Sequence, residues 1–155
     1  MSTLPIQLLL ASAMVVLTVM LHLTGLALLA RALRAWLRIP AGRTAAPIVL
    51  LIGAAIGLFG IHTLEIWAYA MVYLMLQAAP DFEHSLYFST VTYATIGYGD
   101  VLVTKAWRIL GAIEGATGVI MLGWSTAFLV SLLAQSRLLR HDWLTSDVAR
   151  PESPQ

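Results

Sequence analysis

Apolar side chains run along this chain in three long blocks, residues 6–30, 47–77 and 107–134, and the stretches between and after them hold most of the charge. A helix needs roughly 20 residues to cross the hydrocarbon of a bilayer, and each block is long enough. The second would measure about 46 Å as a helix, more than the hydrocarbon thickness, so it must tilt or extend beyond the membrane. Between the second and third blocks, residues 82–94 are too short and too polar to span. They read as a half-helix, with Asp81 as its N-cap and Pro80 halting the helix before it. Non-helical backbone at membrane depth survives only where protein buries it, which suits a short helix followed by a loop. Residues 101–106 then return to the outer surface. The pattern predicts an all-α membrane protein with three transmembrane helices and a re-entrant helix and loop before the third.

Composition agrees. The chain is 59% hydrophobic and 11% charged, with mean hydropathy +0.83, whereas a soluble domain carries about 25% charged residues. With no cysteine, disulfides and thiolate metal sites are ruled out. The net charge of +1 says little, but its distribution says more. Arg31, Arg34, Arg38, Arg43, Arg137, Arg140 and Arg150 fall on one side of the predicted membrane, and Lys105 and Arg108 on the other. This places the linker and C-terminus in the cytoplasm, the N-terminus outside and the loop facing outward, in a cell membrane. Arg31, Arg34 and Arg38 with Trp36 sit at a membrane edge rather than through its depth, so they read as interfacial anchors and not as a voltage sensor. Pro40, Gly42 and Pro47 read as helix breakers marking a linker. No Lys or Arg precedes the first block, which favours a retained helix over a cleaved signal peptide. The tail after residue 136 has a disordered composition. Nothing points to nucleic acid. His22, His62, His84 and His141 show no metal-ligand spacing, and no nucleophile site is recognisable, so enzymatic activity finds no support.

Ionisable residues inside spans are costly and mark sites by default. His62 and Glu65 share one helix face; they form a structural pair, joined or not by His22, or a proton-sensing one. Glu114, in the third block, either packs behind the half-helix against Thr92 or Tyr93 or faces the interior and concentrates cations. Gly53, Gly57 and Gly60, and Gly111, Gly115, Gly118 and Gly123, permit close helix approach or bending.

The re-entrant loop carries Thr95-Ile96-Gly97-Tyr98-Gly99-Asp100. A potassium ion leaving water needs its hydration shell replaced by oxygens, and stacked rings of backbone carbonyls can supply them. Carbonyls aligned in this way need alternating ordinary and left-handed backbone, which only glycine adopts cheaply, at Gly97 and Gly99. The Thr95 hydroxyl adds an oxygen at the inner end. One strand cannot surround an ion, so several copies of the chain must converge.

This stretch resembles the selectivity filter of potassium channels, with Ile96 a common variant of the usual valine. Residues 47–136 are similar to the two-transmembrane pore domain of that family, leaving residues 1–46 as an additional helix with a basic linker and 137–155 as a short tail. The resemblance implies a homotetramer conducting K+ passively, with Thr95, Ile96, Gly97 and Tyr98 coordinating the ion and no further cofactor. It also implies that Tyr87 braces Asp100 beside Gly99, that Gly118 is the inner-helix hinge, and that Val119, Leu122, Thr126 and Val130 line the cavity. Many relatives carry a buried glutamate where this chain has Val91, so filter inactivation of that type is not expected. No ligand-binding motif follows the inner helix. Gating is therefore expected to act on the membrane part, on the filter or through another, regulatory subunit. The competing classes are a non-selective cation pore, against which the intact Tyr98 argues, and a non-conducting regulatory membrane subunit.

Overall fold

A computed structural model of the chain describes residues 4–37 and 46–135. Four helices and a short 3-10 turn account for most of them: α1 (Leu4–Leu37), α2 (Ala46–Met75), α3 (Phe82–Tyr93), the turn Lys105–Trp107, and α4 (Arg108–Gln135). The linker residues Arg38, Pro40, Gly42 and Arg43 and the tail with Arg137, Arg140, His141 and Arg150 lie outside the described residues. Helices α1, α2 and α4 are each long and apolar enough to cross a membrane.

The first helix runs beyond residues 6–30 at both ends. At 34 residues it would be about 51 Å long, so its basic C-terminal turn extends past the hydrocarbon. Pro47 is not a breaker. It occupies the second position of α2, where a missing N–H removes no intrahelical bond and a fixed φ suits helix entry.

Helix α1 packs against both α2 and α4, and α3 packs against α2 and α4. The α1–α2 seam is antiparallel and steps by four residues. A Cβ at Gly25 would meet Ile61 Cγ1 at 2.8 Å, one at Gly57 would meet Leu29 Cδ1 at 2.4 Å, and one at Gly53 would lie 3.7 Å from Leu33. Gly60, also expected in such a seam, faces open space. The α3–α4 seam is built the same way. Gly111 lies under Phe88, Gly115 under the Thr92 carbonyl and Gly118 under the Tyr93 carbonyl, while Gly123 touches nothing. Spacing of three and four residues puts these glycines on one face, and small residues there let the helix backbones approach closely. The core joins Ala11 and Met14 of α1, Tyr69 and Tyr73 of α2, Phe88 of α3 and Leu110 of α4. Phe88 meets Tyr73 edge-on at 5.2 Å, a favoured aromatic geometry.

Helix α2 ends in a Schellman turn. Gln77 takes φ +51°, Ala78 N–H donates to the Tyr73 carbonyl and Gln77 N–H to that of Leu74, which satisfies two otherwise orphaned carbonyls. The chain then turns into α3, whose N-cap is Asp81 as expected: its carboxylate accepts from His84 N–H at 2.9 Å.

Candidate functional site

The loop after α3 begins as the cap of that helix. Ile96 N–H donates to the Val91 carbonyl at 2.8 Å and Thr95 N–H to that of Thr92 at 3.0 Å, a second Schellman turn. Thr95 holds the left-handed position with φ +61°, unusual for a β-branched residue. Left-handed backbone then recurs at every second residue, at Gly97 (φ +56°) and Gly99 (φ +77°). Gly97 and Gly99 do what glycine permits. The left-handed φ of Thr95, unlike its place in the loop, is not announced by the sequence, because nothing in a threonine signals it; helix termination forces it.

This alternation fixes where the polar groups go. The amides of Thr95, Ile96 and Gly97 all turn back onto carbonyls of Val91 and Thr92. Among the described residues, no hydrogen bond is accepted by the carbonyls of Thr95 through Gly99. Residues 95–100 are all exposed, with Ile96 at 50% and Tyr98 at 71%. Within one chain the loop is thus an uncovered ribbon of acceptors.

Asp100 closes the loop. Tyr87 Oη donates to Asp100 Oδ2 at 2.8 Å, the brace expected between those residues. That hydrogen bond holds the Asp100 carboxyl below the ordinary carboxylate range and raises the Tyr87 phenol above its own. His84, through its backbone N–H first and its ring second, likewise lowers Asp81.

Behind the loop, Glu114 is fully buried, but its partners are not Thr92 or Tyr93. Its carboxyl takes Tyr73 Oη at 2.5 Å and Ser89 Oγ at 2.5 Å, tying α4 to α2 and α3. The reason is rotational: Gly115 and Gly118 occupy the face beneath Thr92 and Tyr93, which turns Glu114 toward α2. Val91, without a polar side chain, is buried and serves the loop through its carbonyl alone.

A second buried cluster sits lower. Glu65 Oε1 accepts from His22 Nδ1 at 2.9 Å, Oε2 accepts from His62 Nδ1 at 3.1 Å, and Tyr93 Oη donates to Oε2. His62 Nε2 lies 2.8 Å from Ser125 Oγ. His22 therefore joins the His62–Glu65 pair; the carboxylate ties α2 to α1 and α3, and His62 extends the cluster to α4. No sequence signal announces Tyr93 or Ser125, because their proximity is purely tertiary.

On α4, Gly118 is buried while Val119, Leu122, Thr126 and Val130 are exposed. A Cβ at Gly118 would fall 2.1 Å from the Tyr93 carbonyl oxygen, so its role here is close approach. The helix passes through it unbroken.

Residues 61–135 match the family model described as ion channel. The match takes in the second half of α2, all of α3, the loop and α4, and leaves α1 outside. No curated protein and no solved structure matches the chain.

Proposed function

Residues 61–135 being a domain of the ion-channel family, in a chain with three membrane-spanning helices, we propose that the protein is a potassium-selective channel. Four copies meet at an axis lined by Thr95, Ile96, Gly97 and Tyr98, whose carbonyls and the Thr95 hydroxyl replace the hydration shell of K+. The observation that carries this reading is the alternating left-handed backbone at Thr95, Gly97 and Gly99, with three amides turned inward onto α3. Such a ribbon leaves its oxygens free for a cation and gives them nothing else to bind.

The other parts take supporting roles. Tyr87 and Asp100 anchor the outer end of the loop. The negative end of α3 faces the axis, where a partly hydrated cation rests. The exposed α4 positions Val119, Leu122, Thr126 and Val130 line the cavity beneath, and Gly118 lets α4 lie close under the end of α3. The excess of arginine beside the spans orients the loop outward and the N-terminus outside, in a cell membrane.

Bi-ionic reversal potentials in reconstituted liposomes test the reading: potassium over sodium is expected, and equal permeability would make this a non-selective cation pore. Gly97→Ala is expected to abolish conduction or selectivity, because a Cβ opposes a φ of +56°. A mutant with the parent's potassium preference would remove the filter assignment.

A further inference from the structure

We propose that His62 is the proton-accepting member of a buried site, formed with His22, Glu65, Tyr93 and Ser125, through which pH acts on the pore. The effect on conduction rests on the channel reading; the proton site itself does not.

Hydrogen-bond accounting carries the argument. Glu65 is fully buried and receives three donors: His22 Nδ1–H, His62 Nδ1–H and the Tyr93 hydroxyl. Both imidazoles therefore present Nδ1–H to the carboxylate, and their far nitrogens decide where another proton can go. The Nε2 of His22 is buried and has no hydrogen-bond partner. A proton there would create an orphaned, charged N–H in an apolar interior, which is costly. The Nε2 of His62 faces Ser125 Oγ at 2.8 Å. A hydroxyl both donates and accepts, so Ser125 donates to neutral His62 and accepts from the imidazolium by turning its hydrogen. His62 alone can gain a proton with both N–H groups satisfied, and its new charge is opposed by Glu65.

Among the described residues, the surroundings offer no competing charge. Helix α1 contributes His22, α2 contributes Glu65 and, one turn on, the buried Tyr69, α3 contributes Tyr93, and α4 contributes Ser125 beside Trp124. Glu114 of α4 is engaged with Tyr73 and Ser89.

The consequence reaches the loop by a short route. His62 touches Ser125 on α4 and Tyr93 on α3, and Tyr93 lies two residues before Thr95. Protonation replaces a neutral His62–Ser125 hydrogen bond with a charge-assisted one, roughly twice as strong. That tightens α2 onto α4 about two helical turns along from Gly118, on which the Tyr93 carbonyl rests. Helix α1, outside the ion-channel match, supplies His22 to hold Glu65 in place.

Two readouts test this on the full chain in lipid. Nitrogen-15 shifts of histidine-labelled protein, assigned with single His→Gln variants, are expected to show His62 gaining a second proton between pH 8 and pH 5 while His22 keeps one. A His62 that stays singly protonated over that range overturns the proposal, whether or not the protein conducts. In liposomes, potassium flux at pH 8 and pH 5.5 is expected to differ about fivefold or more, the lower end of allosteric couplings. Both His62→Gln and Ser125→Ala should flatten that difference without changing potassium-to-sodium selectivity, and His84→Gln should leave it intact. A His62→Gln channel with the parent's pH profile overturns the proposal. Absence of potassium flux at every pH defeats the channel reading and leaves the nitrogen-15 result to decide the proton site.

Discussion

Thr95 shows how much one residue's backbone can decide. A threonine in the left-handed region costs about 1–2 kcal/mol relative to ordinary angles, and such strain persists where the surroundings over-determine it. Two hydrogen bonds of a helix cap do so here. Gly97 and Gly99 were legible in the sequence because glycine advertises that freedom; Thr95 was not, since its conformation is imposed by the end of α3. Asp100 carries a prediction at the same scale. Its carboxyl sits below the ordinary value of 3.8 because Tyr87 donates to it. The brace therefore contributes fully above pH 3.8 and is lost as pH falls through the lower, folded value. Tyr87→Phe removes the donor, and the Asp100 titration, followed by carbon-13 NMR of the carboxyl, is expected to move up toward the ordinary value.

At the scale of helices, glycine spacing was readable but its partners were not. Runs at three- and four-residue steps announced close approach, and two seams follow, yet Gly60 and Gly123 stand outside both. Which neighbour each glycine meets depends on helix rotation, which apolar blocks this uniform leave undetermined. The same ignorance hid the partners of Glu114, and a linker-like proline at position 47 turned out to open α2. The seams also differ in what they tolerate. At Gly118 the obstacle is the Tyr93 backbone carbonyl, which cannot step aside, so Gly118→Ala is expected to destabilise by about 1–3 kcal/mol, as overpacking typically does. At Gly57 the obstacle is the tip of Leu29, which can change rotamer, so Gly57→Ala should cost less. Thermal unfolding of the two purified variants side by side checks the order.

For the whole molecule, the three spans and the re-entrant helix were legible from polarity and length alone. The tie between α1 and the rest was not: Glu65 needs two histidines 43 and 3 residues upstream, and only folding brings His22 to it. What a single chain leaves unfinished is its loop, exposed from Thr95 to Asp100. Native mass spectrometry of the protein released from lipid is expected to report four chains, and a monomer would leave the loop with nothing to close upon.

The inward-turned amides of Thr95, Ile96 and Gly97 have a consequence for ions of the opposite sign. Backbone N–H groups are the usual means by which a loop greets chloride or phosphate, and here three in succession are spent on the end of α3. On the proposed channel reading, an anion reaching residues 95–97 meets their carbonyl lone pairs rather than their amides, so the passage is expected to sort ions by sign before it weighs them by size.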